Sequence, residues 1–282
     1  MATVITPRDT IKQKIFEDNE NHVLEIGCGN GEFLLHLHEA RENHIIWGLD
    51  ISNFALKKAL SRTKNIPNIL LVKSEGKWFL QWIVPENSIK EIYLLFPDPW
   101  PGREKRRIVD KYFLNLLGSR LKPHGKFFFS TDSEDYFEQV KTLFIKSETF
   151  EIGDGIRSFY TKYERKWKAA GRKTYTLSAI KSGNHPRNLN LKTFLNFPQK
   201  INISKDTLYS LSGLELKTED TFFKIIKTFR KQSDILYKTI FRFKSTGQKQ
   251  LFIVKNNWID ILPVQSEIYP EPLVEIIKLI FS

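Results

Sequence analysis

HVLEIGCGNG, at residues 22–31, is a short apolar run followed by a glycine-rich turn. The apolar part predicts a buried strand, and the residues from Glu32 to Ala40 have the pattern of a helix. A glycine loop between a strand and a helix lets a ligand approach the backbone closely, and the helix start offers free N–H groups. The stretch therefore predicts the first β-α unit of a sheet that binds a ligand at its edge.

Strands and helices continue to alternate after this unit. Such alternation implies parallel β-α-β units with right-handed crossovers, as in a doubly wound, Rossmann-like α/β fold. Ser52 is a suitable N-cap for the helix after the second strand. The further predicted strands are Ile45–Asp50, Asn68–Val72, Ile89–Phe96, Gly125–Thr131 and a closing strand Lys173–Ile180, and the further helices are Ser52–Arg62, Arg106–Leu121 and Ser133–Lys146.

A break in this pattern separates a second domain. The segment KSGNHP, at residues 181–186, gathers turn and breaker residues. We therefore expect a first domain at residues 1–182 and a smaller, basic α+β domain at residues 183–282, which has 15 Lys and Arg against 9 Asp and Glu. The second domain is predicted to contain helices over Thr218–Tyr237 and from about Pro272, and a hairpin of Ile240–Lys244 and Leu251–Val254 joined through Ser245–Gln248.

The charge of the chain indicates a polyanionic partner. The 282 residues carry a formal charge of +12 and a sequence pI of about 9.5, which favours nucleic acid. A single cysteine, Cys28, excludes an internal disulfide and fits a reducing compartment. There is no apolar run long enough to cross a membrane and no signal-peptide pattern. We expect a cytoplasmic protein with no membrane contact and, since its six histidines form no ligand pair with the acids, no metal.

Glu25 distinguishes the glycine loop from a dinucleotide-binding loop. A carboxylate at the strand end would repel a pyrophosphate, whereas it would attract a sulfonium or ammonium group. The third glycine also arrives one residue too early for the dinucleotide pattern. The loop of Glu25, Gly27 and Gly29 therefore favours a cationic nucleoside without phosphates, and S-adenosylmethionine (SAM) matches that description.

Two further acids follow the next strands. Asp50 ends the second strand, where a carboxylate can accept hydrogen bonds from both ribose hydroxyls. Glu75 follows the third strand and could reach an adenine amino group. An ordinary strand-end acid is the alternative in each case. Cys28, in the glycine loop, is interpreted as a small packing residue rather than a nucleophile.

The fourth predicted strand leads into FPDPWP, at residues 96–101. Each proline fixes its own φ angle and restricts the residue before it, so Asp98 is held in a stiff loop. In a doubly wound sheet the first and fourth strands adjoin at the switch point, where ligands bind. We therefore expect Asp98 to meet the methyl donor there. The alternative is a loop acid that caps the next helix.

Cations and aromatic residues gather in two segments. Arg103, Lys105, Arg106 and Arg107 follow the Asp98 loop, and residues 157–175 contain seven Lys and Arg, one Glu and five aromatic residues. Cations neutralise phosphates, and aromatic rings stack on unpaired bases. Both segments are candidates for RNA binding. For the second, the alternative is a solvated loop with its aromatic rings packed inward.

Together these motifs resemble the bacterial tRNA (guanine-N7)-methyltransferases, within the class I SAM-dependent methyltransferase superfamily. The resemblance covers about residues 20–180 and leaves the second domain as a C-terminal extension. Each motif alone is weak, but five in the family's order are specific. They are LEIG at residues 24–27, FPDPW at 96–100, KRR at 105–107, STD at 130–132 and TKYE at 161–164.

The resemblance implies an activity and a set of site residues. The activity is methyl transfer from SAM to N7 of a tRNA guanosine, at position 46 of the variable loop, which gives 7-methylguanosine. Asp98 would be the catalytic residue. SAM would be bound by Glu25, Gly27, Gly29, Asp50, Glu75 and Asp98, the target guanosine by Asp132, Thr161, Lys162, Tyr163 and Glu164, and the RNA by Arg103, Lys105, Arg106 and Arg107.

The sequence departs from the family pattern at three places. Asp50 stands where Glu is more common, and Glu75 stands where Asp or Asn is more common. The loop after Pro101 is shorter than usual, and Gly102 occupies the position of a lysine. Which cation takes the place of that lysine, Arg103 or Lys105, is left open.

Two other functions are compatible with the sequence. The Asp-Pro-Trp loop is similar to the Asn/Asp-Pro-Pro-aromatic loops of amino-methylating enzymes, so the acceptor could be an amino or amide nitrogen of another RNA or a protein. The second proline of those loops is absent here. The remaining alternative is an RNA-binding protein with an inactive methyltransferase fold, against which the intact glycine loop, Asp50 and Asp98 argue.

Overall fold

A computed structural model describes the chain in two compact units, Met1–Leu189 and Asn190–Ser282. The domain boundary expected after residue 182 falls a few residues before this division. The segment 161–164 lies outside the described residues, as does the helix predicted from Pro272 apart from two helical positions. The described residues are 4–5, 16, 21–41, 43–153, 171, 173–183, 193–194, 211, 213–231, 234–243, 246–255, 258–262, 269–270, 273 and 276.

The first unit contains an eight-stranded sheet. Its strands are β1 Val4–Ile5, β2 Asn21–Ile26, β3 His44–Asp50, β4 Ile69–Lys73, β5 Ile89–Leu95, β6 Leu121–Thr131, β7 Phe150–Gly153 and β8 Tyr175–Lys181. They are ordered β1-β4-β3-β2-β5-β6-β8-β7. Strands β1 to β6 pair in parallel, and β8 is antiparallel to both β6 and β7. The doubly wound sheet with β2 beside β5 is therefore confirmed, whereas β1 and β7 were not predicted.

Helices follow most of the parallel strands, and side-chain caps set where several of them begin. Ser52 and Ser133 accept hydrogen bonds from Ala55 N and Tyr136 N, which fixes two helix starts close to those predicted. The described helices of this unit are α1 Glu32–Ala40, α2 Asn53–Thr63, α3 Gly76–Trp82, α4 Lys111–Arg120 and α5 Glu134–Ile145, with a 3₁₀ turn at Glu104–Arg106.

The helix predicted from Arg106 begins later than expected. Asp110 accepts a hydrogen bond from the backbone N–H of Phe113 at 2.8 Å and is the N-cap of α4. Residues 107–110 therefore form a connection outside the helix. Asp110, and not Asp98, is the acid that caps the next helix, so the capping alternative for Asp98 is wrong.

The core beside the glycine loop consists of apolar side chains from α1, α2 and the central strands. Leu34 and Leu37, one helical turn apart on α1, are at most 2% exposed and pack with Val23 and Ile46. Burying a leucine stabilises the fold by about 1.5–3 kcal/mol. This packing fixes the N-terminus of α1 beside the end of β2, where the predicted ligand site begins.

The second unit contains an antiparallel sheet of five strands, β10 Glu215–Lys217, β11 Thr221–Lys231, β12 Asp234–Phe243, β13 Thr246–Lys255 and β14 Trp258–Leu262, in that order. A separate short pair joins β9 Thr193–Phe194 to β15 Tyr269–Pro270. The predicted pairing of the two hairpin strands is confirmed as part of β12 and β13. The predicted connection Ser245–Gln248 is wrong, because β13 already begins at Thr246. The predicted helix over Thr218–Tyr237 is wrong, because this segment forms β11 and the start of β12.

The burial pattern explains that error. Phe223 and Ile225 are each 1% exposed, whereas Ile226 is 44% exposed. Burial along β11 thus starts with the period of two that defines a strand, before a bulge between Ile225 and Lys227. The abundance of Phe, Ile and Thr also favours a strand over a helix.

None of the helices in the described residues is long and apolar enough to cross a membrane. No group of three or more His, Cys, Asp and Glu side chains among the same residues could hold a metal ion.

Candidate active site

The glycine loop after β2 is attached to the neighbouring strand. The backbone N–H groups of Gly27 and Cys28 both donate to the carbonyl oxygen of Leu49, at 2.8 Å each. Gly27 and Gly29 have φ angles of 79° and 54°, in the left-handed region that glycine adopts without strain. A Cβ atom at either position would meet no atom within 4 Å. Both glycines therefore face open space into which a ligand can come close to the backbone.

Asp50, at the end of β3, is fixed by two backbone donors. Its Oδ2 accepts from Gly29 N at 3.0 Å, and its Oδ1 accepts from Ser52 N at 2.8 Å. Carboxylate oxygens have lone pairs for more than one donor each, so both can still accept from ribose hydroxyls. The carboxylate thus connects the glycine loop to α2 and is oriented before a ligand binds.

Glu25 gives the loop a buried negative charge. Its side chain is 4% exposed and lines a cavity beside Gly27 and Gly29. Burial raises the pKa of the Cys28 thiol well above its usual value, and the negative charges of Glu25 and Asp50 raise it further. The thiol is therefore protonated at neutral pH, consistent with a packing residue.

Two adjoining cavities open where β2, β3 and β5 end. Their volumes are about 240 and 370 Å³, and Gly27, Leu95 and Phe96 line both. We call the two together the cleft. The smaller cavity is also lined by Glu25, Gly29, Phe33, Phe54 and Lys58, and the larger by Asp50, Ile51, Glu75, Asp98, Trp100, Arg106 and Ile108.

Glu75 lines the cleft and also begins α3. Its Oε1 accepts from Lys77 N at 3.0 Å, and its Oε2 accepts from Trp78 N at 2.8 Å. Burial raises the pKa of the Glu75 carboxyl, and these two backbone donors oppose that rise. An adenine amino group would have to share an oxygen that already accepts a bond. The adenine contact of Glu75 stays a prediction.

The loop that carries Asp98, residues 96–100, is strained on both sides of the carboxylate. Phe96 and Trp100 have φ angles of 54° and 46°, a conformation that costs a non-glycine residue about 1–2 kcal/mol. Strain of this kind is common at functional sites. Asp98 itself is exposed and lines the larger cavity. No hydrogen bond or ion pair joins its side chain to another residue of the described segments, so the carboxylate remains available to a ligand.

Arg107 holds this loop from its buried side. Its Nε donates to the Pro99 carbonyl oxygen at 2.8 Å, and its terminal nitrogens donate to Gln139 and Asp135. The guanidinium also lies 4.8 Å from the centre of the Tyr136 ring. The residue is 4% exposed, so it is inaccessible to a phosphate. The RNA contact predicted for Arg107 is therefore wrong, and its contacts position the loop instead.

The other three cations of this segment are exposed. Arg103, Lys105 and Arg106 lie at or beside the 3₁₀ turn. The guanidinium of Arg106 lies 4.9 Å from the centre of the Trp100 ring, at the rim of the larger cavity. All three side chains are accessible to phosphates, and their RNA contacts stay predictions.

Asp132 follows the carboxyl end of β6 and is half-buried. Because β6 pairs in parallel with β5, Asp132 and Asp98 follow neighbouring strands at the same edge of the sheet. The segment Thr161–Glu164 and most of residues 157–175 lie outside the described residues. The contacts predicted for Asp132 and this segment with the target guanosine stay predictions.

The sequence analysis missed the apolar rim of the cleft. Ile51 and Phe54 are each 69% exposed, and Nζ of Lys58 lies 4.1 Å from the centre of the Phe54 ring. The available signal was position, because both apolar residues come within four residues after Asp50, where polar residues would suit solvent better.

Comparison with known proteins identifies the family. Residues 19–177 match a family described as "Putative methyltransferase". The chain is 34% identical over 238 residues to the tRNA (guanine-N(7)-)-methyltransferase of Thermotoga maritima. The aligned region covers 80% of this chain and 76% of that protein. This chain belongs to the tRNA (guanine-N7)-methyltransferase family. The Aquifex aeolicus protein of the same name is 26% identical over 248 residues and 83% of each chain.

The sheet of the first unit has the doubly wound order that the sequence predicted. The solved structure of the 16S rRNA methyltransferase KamB matches 65% of this chain and 100% of its own, at 13% identity and a TM-score of 0.48. The solved structure of the antibiotic-resistance methyltransferase Kmr matches 65% of this chain and 96% of its own, at 17% identity and a TM-score of 0.44.

The residues of the cleft fit SAM, the methyl donor of this superfamily. SAM has a positive sulfonium group and no phosphate, which suits the carboxylates of Glu25 and Asp50 that line the cleft. Its ribose hydroxyls suit the oriented carboxylate of Asp50. The open space beside Gly27 and Gly29 would be filled by any larger residue.

Proposed function

We propose that this chain transfers a methyl group from SAM to N7 of a tRNA guanosine, and that this guanosine is position 46 of the variable loop. The observation that carries the proposal is a cleft that is lined by the carboxylates of Glu25, Asp50 and Glu75 and includes the exposed carboxylate of Asp98. Family membership supports the same activity. The position in the tRNA rests on the family resemblance, and a tRNA substrate makes the cytoplasm the expected compartment.

The chemistry requires few catalytic groups. Guanine N7 has a lone pair and carries no proton, so no general base is needed before attack. Bound SAM supplies a methyl group that the positive sulfur has already activated. The enzyme mainly has to align the nucleophile with the methyl carbon, and good alignment lowers a barrier by about 7–11 kcal/mol. We therefore assign Asp98 to orientation and charge stabilisation rather than proton abstraction.

The other residues of the cleft bind the donor in this proposal. The buried charge of Glu25 attracts the cationic donor, and Asp50 accepts hydrogen bonds from the ribose. Gly27 and Gly29 let the donor approach the backbone. Glu75 keeps α3 in place and offers the adenine its remaining lone pairs.

A second group of residues binds the tRNA. Asp132 and the segment Thr161–Glu164 contact the target guanosine, and Arg103, Lys105 and Arg106 bind phosphates. Arg107 differs from these neighbours in that it acts through the Pro99 carbonyl on the geometry of the loop.

The decisive experiment combines the purified chain with tritiated SAM and unmodified tRNA transcripts, and then identifies the labelled nucleoside. We expect 7-methylguanosine, and no label in a transcript with adenosine at position 46. Label on an amino group would favour the amino-methylating alternative. A protein that binds tRNA but transfers no label would be the inactive RNA-binding protein, and either result would overturn the proposal.

Variants of Asp98 test its assigned role. Removing one preorganised polar group from an active site typically slows the chemical step by about 10²–10³-fold, so we expect a loss of that size for Asp98→Ala in single-turnover reactions. Asp98→Asn, which keeps the shape and some hydrogen bonding, should lose less. Glu151→Gln, an exposed change on β7 at the far edge of the sheet, is the matched control. Unimpaired methyl transfer by Asp98→Ala would exclude the role.

A further inference from the structure

The second unit contains a concentration of positive charge that the proposed active site does not use. The segment from β11 to β13, residues 221–255, has nine Lys and Arg but only one acid, Asp234. The whole chain has 44 Lys and Arg against 32 Asp and Glu. The excess charge is therefore concentrated in three adjacent strands of one sheet.

The two faces of this sheet differ in their described side chains. Phe223, Ile225, Tyr237 and Phe241 are at most 1% exposed and belong to the buried face. Because successive side chains of a strand point to opposite faces, Lys224, Ile240 and Arg242 belong to the other face, as does Phe222, which pairs with Arg242. Beyond the bulge, Lys227 belongs to it as well, since the next residue, Thr228, pairs with the buried Tyr237. We call that other face the basic face and define it by Phe222, Lys224, Lys227, Ile240 and Arg242.

Backbone register brings these residues together. Phe222 pairs with Arg242, and Lys224 pairs with Ile240. Further lysines occupy adjacent register positions, since Lys238 pairs with Lys227 and Lys249 with Ile240. Like charges on neighbouring strands repel each other, and a polyanion that binds across them removes that penalty.

Arg242 and Phe222 form the centre of the basic face. The Arg242 guanidinium lies 5.6 Å from the centre of the Phe222 ring, within the range of a cation–π contact. Arg242 is exposed, and no carboxylate of the described residues forms an ion pair with it. Its guanidinium can therefore stack on a base or make a bidentate contact with a phosphate.

Lys224 can also exchange its partner. Its Nζ lies 2.9 Å from Oε2 of Glu215, and the two side chains are 44% and 45% exposed. An ion pair this exposed contributes little to stability. A phosphate can therefore replace the Glu215 carboxylate at small cost.

We propose that the basic face binds tRNA, with its cations on backbone phosphates and Phe222 with Arg242 against an unpaired base. This inference rests on the proposed function and extends it to the second unit. An open sheet that combines cations with an aromatic ring is a surface that RNA-binding modules use, because the ring stacks on a base while cations hold the phosphates. A second RNA contact in the same chain raises the overall affinity through effective concentration.

The test compares two triple variants of the full chain that lose equal charge. One is Lys224→Gln/Lys227→Gln/Arg242→Gln, and the other changes three exposed lysines of the first unit outside the cleft, Lys90→Gln/Lys126→Gln/Lys146→Gln. tRNA affinity is measured without turnover, in the presence of S-adenosylhomocysteine, over a series of salt concentrations. The thermal midpoint and SAM affinity of each variant report whether the chain is folded.

We expect the basic-face variant to bind tRNA more weakly, with a salt dependence that is flatter by about two units in the slope of log K against log salt, since each lost phosphate contact removes about 0.7–0.9. The control variant should keep a slope close to that of the unchanged chain. Phe222→Ala should weaken tRNA binding about tenfold, and Phe222→Leu, which keeps apolar packing but no aromatic face, should weaken it nearly as much.

The proposal is overturned if the two triple variants have the same slope, or if the folded basic-face variant binds tRNA as tightly as the unchanged chain. Failure of the proposed function would look different, because the unchanged chain would then form no 7-methylguanosine whatever its tRNA affinity. If 7-methylguanosine is formed and the basic-face variant binds normally, only the present inference fails.

Discussion

Removal of the Arg107 side chain tests whether the shape of the Asp98 loop limits catalysis. Arg107→Gln removes the hydrogen bond to Pro99, the bonds to Gln139 and Asp135, and the contact with the Tyr136 ring. We expect the variant to be less stable and much slower in methyl transfer, although Arg107 does not touch the cleft.

The magnitude follows from these contacts. A hydrogen bond that involves a charged group contributes about 1.5–3 kcal/mol. The bond to Asp135 contributes less, since that side chain is 77% exposed and exposed ion pairs contribute about 0–1 kcal/mol. We expect a loss of about 2–4 kcal/mol in the free energy of unfolding.

The effect on rate comes from the strain at Phe96 and Trp100. These left-handed conformations cost about 1–2 kcal/mol at each residue. Without the anchor at Pro99 they can relax in part, and the strain released offsets part of the loss of stability. The Asp98 carboxylate then moves, and a displacement of about 1 Å in an active site can slow the reaction about a hundredfold.

Single-turnover methyl transfer at saturating SAM and tRNA measures the rate, and urea unfolding measures the stability. Arg107→Lys keeps the charge but cannot reproduce the planar set of donors, so it should also be slow. Lys126→Gln, an exposed change on β6 outside the cleft, is the control. Wild-type rates for both Arg107 variants would refute the reasoning about the loop.

Three further predictions concern single residues of the first unit. Gly29→Ala should weaken SAM binding in calorimetry, because its φ of 54° costs alanine about 1–2 kcal/mol and the new methyl group enters the cleft. Unchanged affinity would contradict a close approach of SAM to the backbone at Gly29. Glu75→Ala removes the N-cap of α3 and should lower the free energy of unfolding by about 0.5–2 kcal/mol, so an unchanged urea midpoint would argue against the capping role. Burial lowers the pKa of Lys181 below its ordinary value of 10.5, so between the two values the unfolded chain binds more protons at this residue, and the wild type should gain stability relative to Lys181→Met as pH rises towards 10.5. A stability difference that stays constant over that range would contradict it.

The site at the carboxyl ends of the strands could be predicted because short stretches of sequence determine its shape. The glycines, the strand-end Asp50 and the prolines around Asp98 constrain the backbone through their own chemistry, and the parallel topology then brings the strand ends together. The orientation of Asp50 by two backbone N–H groups adds detail that the sequence does not contain.

The predictions that proved wrong concern features that depend on contacts with residues distant in the sequence. Arg107 stands in a run of cations, and its contacts with Pro99 and with Asp135, Tyr136 and Gln139 on α5 separate it from its exposed neighbours. The start of α4 depended on which acid caps the helix. The segment 218–237 has apolar residues at spacings compatible with either structure, so pairing between β11 and β12 decided it.

The most direct test of the central claim is a calorimetric titration of the chain with SAM and with S-adenosylhomocysteine. The account predicts that the unchanged chain binds both, that Glu25→Gln weakens binding of the positively charged SAM more than that of its neutral-sulfur product, and that Glu151→Gln changes neither. No heat of binding from either nucleoside, or equal affinities of Glu25→Gln and the unchanged chain for SAM, would contradict the claim that a buried carboxylate draws the cationic donor to this edge of the sheet.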